Sequence, residues 1–171
     1  MDTLATNRPT VQSLIAILAS DDGMARKEAR ESLVALGRPS VASLLKALKN
    51  PRMKQVRWEA AKALGAIRDP RCIQGLVEAL KDHDPDVAWL AAEALKEFGK
   101  AAWNPLLRAL IKSDPDAVLL RQGAHHVLVN QKEEGFNDAL AALAKDLQSG
   151  AVTEGATLAA LEILERLKAR A

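Results

Sequence analysis

This chain of 171 residues is predicted to be all-α, an α-α superhelix in which antiparallel helix pairs stack in a row. Three observations predict it. A helical phrase recurs with copies that begin at Ala25, Val56 and Val87, 31 residues apart each time, and a period of that size marks a solenoid of helix pairs. Within each copy the apolar residues fall on one arc at about 100° per residue. Hydrophobic residues make up 49% of the chain and aromatics 3%, with almost no β-branched runs that would favour strands, so Ala and Leu carry the core.

The elements follow in order. A half repeat over residues 9–20 opens the array, because Arg8-Pro9-Thr10-Val11-Gln12-Ser13-Leu14-Ile15 matches Arg38-Pro39-Ser40-Val41-Ala42-Ser43-Leu44-Leu45. Full repeats cover about 22–50, 52–82, 85–113 and 116–148. In the second of these, Val56, Ala60, Ala61 and Leu64 sweep one arc while Lys62 points away and Glu59 lies outside it. Ile73, Leu76, Val77 and Leu80 form the matching face of the second helix, echoed by Val41, Leu44, Leu45 and Leu48 and by Trp103, Leu106, Leu107 and Leu110. The fourth repeat reads Leu120 to Leu128 for its first helix and Phe136 to Leu147 for its second. A last helix, about 152–169, reads as one more unpaired first helix. The whole chain, 1–171, is thus one elongated domain, since no repeat buries its face alone. Gly37 and Gly99 suit left-handed helix ends, and Asp69-Pro70, Asp84-Pro85 and Asp114-Pro115 suit helix starts with an acidic cap and a proline in the first turn.

No stretch of about 18 apolar residues, signal sequence or lipidation motif is seen, so a cytoplasmic chain is expected. Cys72 is the single cysteine and makes no internal disulfide. It aligns with Ser40 and Ala102 just inside a second helix, which predicts a buried, inert thiol.

The phrases V-R-x-x-A-A-x-A-L and A-V-x-x-L-x-x-A-L, carried best by Val56 to Leu64 and Cys72 to Leu80, resemble those of short HEAT repeats of the phycobilisome-lyase type. The resemblance runs from about Pro9 to Leu167. It implies a HEAT-like α-solenoid of the armadillo-like helical class. Proteins similar in this way serve mostly as protein-binding scaffolds, and relatives include bilin chromophore lyases, an iron-dependent hydroxylase and an alkylpurine DNA glycosylase. The hydroxylase relatives hold metal with His-Glu pairs, and this sequence has no His-Glu dipeptide. His125 and His126 are neighbours that diverge by about 100° on a helix; His125 falls in the slot of Ala61 and Ala92 and reads as a core histidine. No Gly-rich phosphate loop, G-x-S-x-G or H-E-x-x-H is present. No catalytic residue, cofactor or metal is therefore expected.

Three features point to a partner. Between Arg38 and Arg71 nine basic residues face two acidic ones, whereas Asp82 to Ala171 has ten against fourteen. Lys46, Lys49, Arg52, Lys54 and Arg57 cluster about one joint, Asn50-Pro51-Arg52, where later joints carry Asp-Pro-Asp. Cations there oppose the helix dipole. Either this is a solvated face partly neutralised by Glu59 and Glu78, or it receives an acidic protein; nucleic acid ranks below, because single-strand binding draws on aromatic platforms and the chain has no Tyr. Secondly, Trp58 and Trp89 occupy equivalent places on adjacent first helices, and either pack the repeat junction or form a surface pair that anchors a partner. Trp103 reads as core. Thirdly, the outward rows of the second helices, Gln12, Ala42, Gln74, Asn104, Asn137 and Ala16, Lys46, Glu78, Arg108, Ala141, form a polar inner groove, either laced by a Lys46–Glu78–Arg108 ion ladder or open to an extended peptide.

The expectation is a non-catalytic scaffold or adaptor that contacts its partner through Gln74, Glu78, Asn104 and Arg108, with Lys46, Lys49, Arg52, Lys54, Trp58 and Trp89 steering or anchoring it. The alternatives are a bilin-lyase-like subunit or chaperone for a chromophorylated protein, which the resemblance implies, and nucleic-acid binding through the basic repeat. The last helix carries Leu158, Leu161, Ile163, Leu164 and Leu167 beyond one face. It either marks a fragment, caps the array, or meets a second copy.

Overall fold

A computed structural model describes residues 9–114, 116–148 and 154–170. Arg8, Pro115 and the first two residues of the predicted 152–169 helix lie outside them. The described residues form helices and no strand: α1 (Val11–Ile17), α2 (Gly23–Leu36), α3 (Val41–Leu48), α4 (Lys54–Ile67), α5 (Ile73–Ala79), α6 (Pro85–Lys96), α7 (Trp103–Ile111), α8 (Val118–Leu128), α9 (Asn137–Gln148) and α10 (Glu154–Ala169). Short 3₁₀ turns precede α3, α5 and α7.

First helices α2, α4, α6 and α8 stack side by side in one layer, second helices α1, α3, α5 and α7 in another, and each of the second helices α3, α5 and α7 packs on the first helix of the following repeat. The layers meet over Leu33, Leu44, Leu64, Leu76, Leu95, Leu106 and Leu107, all fully buried. Small residues bring the first layer close: a Cβ on Gly65 would lie 2.9 Å from the Ala94 Cβ. Trp103 is buried as expected, edge-on to the buried Phe136.

Helix starts follow local chemistry. Asp22 and Asp84 accept backbone N–H bonds at the N-termini of α2 and α6, and Asp69 does so at a 3₁₀ turn. Gly37 and Gly99 both have positive φ, and midway between them Arg68 closes α4 in the left-handed region at φ 55°, a conformation uncommon for a residue with a Cβ.

Long-range polar bonds are regular in sequence distance, and all but Arg57 to Asp82, which spans the second repeat from its first helix to its closing joint, link successive repeats. Arg26 and Arg30 reach Glu59 over 33 and 29 residues, Arg57 reaches Asp82 over 25, and Lys100 reaches Glu133 over 33. Glu59 is 3% exposed, so its charge is held between two guanidinium groups away from water.

The C-terminal end departs from the expected order. Rather than an unpaired first helix, α10 packs on the second helix α7 and on α9, while α9 packs on α8. The breadth of its apolar surface is the reason: Ala156, Ala159, Ala160 and Ile163 are buried and Leu164 and Leu167 pack on the core, which leaves Leu158 and Leu161 exposed.

Candidate functional site

The basic cluster is built at the joint between α3 and α4 and reaches across to the joint between α5 and α6. Asn50 turns the chain, its Oδ1 accepting from the backbone N–H of Arg52 and Met53, each at 2.9 Å. This side-chain turn does what an Asp does at the later joints. The carboxylates missing here are supplied by the next repeat. Lys54 Nζ lies 3.0 Å from Asp84 and 3.6 Å from Asp86, and Lys49 Nζ lies 2.7 Å from Glu78.

These pairs shift the titration of their members. Hydrogen bonding to Asp84 holds the Lys54 ammonium above its usual range, and hydrogen bonding from Lys54 and Lys49 holds Asp84 and Glu78 below the usual carboxylate range.

Arg57 is not a surface cation. Its side chain is 4% exposed and grips Asp82, itself 8% exposed, through Nε at 2.7 Å and Nη2 at 3.0 Å. Nη1 donates to the Asn50 carbonyl and Nη2 lies 3.0 Å from His83 Nε2. One turn into a helix whose Val56 faces the core, its guanidinium has a buried path to the next joint and takes it. A cleft of about 290 Å3 opens here, lined among others by Lys49, Asn50, Arg57, Glu78, Asp82 and His83, with both signs of charge on its walls.

What remains of the cluster is smaller than the sequence suggests. Among the described residues no ion pair is made by Lys46, Arg52 or Arg108, and all three are exposed. The expected ion ladder is absent from Lys46 and Arg108: Glu78 bonds Lys49 and Gln74, and Arg108 donates to Asn104 Oδ1 at 2.7 Å. Both outward rows are exposed at every position from Gln12 to Asn137 and from Ala16 to Ala141. The members on α1, α3, α5 and α7 share one layer, and Asn137 and Ala141 lie on α9. Beside these rows, between α1 and α3, runs a groove of about 660 Å3 lined mostly by apolar atoms.

The tryptophans separate. Trp58 is half-buried against the core, with Lys62 Nζ of the same helix 4.4 Å from its ring centre. Trp89 is 53% exposed and lies against His126, ring centres 4.1 Å apart, while His126 Nε2 bonds Glu93. Both stand on first helices, away from Gln74, Glu78, Asn104 and Arg108. His125 is not a core residue: it is partly exposed and lines a cleft with Trp89, Gln122 and Leu147. Its neighbour beyond α8 is α9 rather than another first helix, which leaves that edge open.

Glu59, expected outside the buried arc and as a counter-charge to the basic joint, is instead buried and bonds Arg26 and Arg30 of the preceding first helix; Asp82 and the Glu93–His126 pair were missed. The signal that could have found Glu59 and Glu93–His126 is a carboxylate with an Arg or His one repeat away on the adjacent first helix. Cys72 is buried, and desolvation pushes its thiol up to about 11.

A family model described as HEAT repeats matches residues 11–87 and 73–162. The uncharacterized phycocyanin operon protein Z of Pseudanabaena tenuis is 32% identical over 116 residues, covering 63% of this chain and 57% of that protein, so the match spans little more than half of the relative's length. The structure of the complex of CpcE and CpcF of phycocyanin lyase from Nostoc sp. PCC7120 contains a chain that superposes with a TM-score of 0.56 at 22% identity, covering 88% of this chain and 95% of that one. That likeness shows the fold. No helix among the described residues is long and apolar enough to cross a membrane.

Proposed function

We propose, from the premise that this chain belongs to the HEAT-repeat family, that it is a protein-binding scaffold whose partner lies along the exposed face of the second-helix layer. One observation carries the reading. Gln74, Glu78, Asn104 and Arg108, with Lys46, stand exposed in register on α3, α5 and α7, and such a rigid row of amides and charges suits an extended or acidic partner. Lys46, Arg52 and Arg108 steer it. Lys49 and Lys54, already paired with carboxylates, contribute less, and Trp58 supports the fold beneath them. The same pairing leaves little uncompensated charge for a phosphate backbone, so nucleic acid is not the partner we propose.

A second reading rests on kinship with the phycocyanin operon protein: the scaffold serves as a bilin-lyase-like subunit or chaperone, and its partner is a chromophorylated protein. Both are tested together. The immobilised chain and a Lys46→Glu/Arg52→Glu/Arg108→Glu variant are exposed to a lysate of the source cell, and the retained proteins are identified by mass spectrometry. Capture by the natural chain that the variant loses supports the scaffold reading, and capture that the variant keeps sinks it. Incubating the chain with a linear tetrapyrrole and a phycocyanin subunit lacking its chromophore tests the second reading, for which chain-dependent visible absorbance on that subunit is the required result.

A further inference from the structure

The groove between α1 and α3 joins an apolar floor to a cationic rim. Its floor is Ile15, Ala16, Ala19, Ala47 and Val56, and its rim carries Lys46. We propose that it receives an acidic amphipathic helix of the partner protein, an inference that rests on the scaffold reading above and names the part of the partner that docks.

Shape comes first. Two helices packed side by side leave a valley between them, and a third helix seats its ridge there when the floor residues are small. Ala16, Ala19 and Ala47 are such a floor. Helix α1 is 7 residues long, about two turns, so the valley accepts apolar anchors at i, i+3 or i+4, and i+7 of the guest.

Charge selects the guest. No carboxylate lines the groove, and none occurs in the sequence from Ser32 to Trp58. Lys49 on the same rim is bound to Glu78, whereas Lys46 and, past Pro51, Arg52 make no ion pair among the described residues. A guest with Glu or Asp flanking its apolar stripe meets Lys46 on the rim, with Arg52 next to the lining residue Pro51 in the chain, and one with Lys in those places is repelled.

The test uses the full chain and a fluorescein-labelled synthetic helix with Leu at the anchor positions and Glu elsewhere, beside a twin with Lys for Glu. By fluorescence polarisation the acidic peptide binds at least about tenfold more tightly than its twin. Ala16→Trp fills the valley from an exposed position and lowers that affinity about tenfold or more, as does Lys46→Glu with Arg52→Glu; circular dichroism checks that both variants keep the fold. Equal binding of the two peptides, or undiminished binding to Ala16→Trp, overturns the proposal. So does self-association of the natural chain, seen by sedimentation and lost in Ala16→Trp, because the guest is then a second copy. Partner capture from lysate that survives Ala16→Trp removes the groove and leaves the scaffold reading standing. Loss of capture only in the variant bearing Arg108→Glu separates the two in the same way.

Discussion

Replacing Asp82 with Asn tests whether the joint between the second and third repeats is held by a buried charge pair. Asn keeps the shape and one acceptor oxygen, so the Asp84 N–H bond at 2.9 Å has a partner, but it removes the charge that faces Arg57. Removing one partner of a buried ion pair costs about 3–5 kcal/mol, because the remaining charge stays desolvated. Here Arg57 retains its bond to the Asn50 carbonyl at 3.1 Å, which places the expected loss at the lower end, about 3 kcal/mol. At about 2–4 °C per kcal/mol for a chain of this size, the melting temperature falls by about 6–12 °C. Urea unfolding followed by circular dichroism and by tryptophan fluorescence reads the loss, and Trp58 and Trp103 report from either side of the joint. The companion variant Arg57→Met/Asp82→Leu replaces both charges by apolar groups and recovers most of the stability, as buried pairs do when exchanged whole. A loss under about 1 kcal/mol for Asp82→Asn, or a double variant no better than the single one, refutes the reasoning and returns Arg57 to the surface cations.

Other consequences can be measured as simply. Gly65→Ala improves helix propensity by about 0.8–1.0 kcal/mol yet sets a Cβ 2.9 Å from the Ala94 Cβ and 3.4 Å from its Cα; overpacking of about 1–3 kcal/mol wins, and the urea midpoint falls. Arg68→Gly relieves a left-handed residue at the loss of an exposed ion pair with Glu97, so stability holds or rises, whereas Arg68→Val loses about 1 kcal/mol or more. Cys72 stays unmodified by a thiol reagent at neutral pH in the folded chain and reacts on unfolding, since burial raises the thiol from 9.0 to about 11; because the unfolded thiol ionises first, stability also falls between those two values. Hydrogen bonds from Arg71 lower Asp69 from 3.8 to about 2, so its contribution is complete above pH 3.8 and is lost as the pH falls toward 2, which unfolding midpoints measured across that interval detect.

The fold could be read from the sequence because the determinants of each helix pair are local and repeated: Val56 and Val87, Leu76 and Leu107, and the Asp-Pro of Asp84-Pro85 state the same instruction in successive copies. The candidate site was less readable. Lys49, Lys54 and Arg57 look alike as cations in the sequence, and what separates them is the distance to Glu78, Asp84 and Asp82, set by how tightly one repeat stacks on the next. Lys46 and Arg52 are left over from that pairing, a distinction no local pattern carries. The last helix was misread for a related reason. Periodicity gave α10 its apolar face but not its neighbour, and α7 offered a second-layer edge that α10 covers. His125 followed, its equivalence to Ala61 and Ala92 holding in sequence but not in surroundings.

The sequence distances of these long-range bonds also set a delay during synthesis. Arg26, Arg30, Arg57 and Lys100 all find their carboxylates 25–33 residues further on. At about 5–20 residues per second of synthesis, each waits roughly 1–7 s for its counterpart to leave the ribosome. Until then each of these cations stands without its carboxylate, and the bond closes only after the helices that follow have emerged.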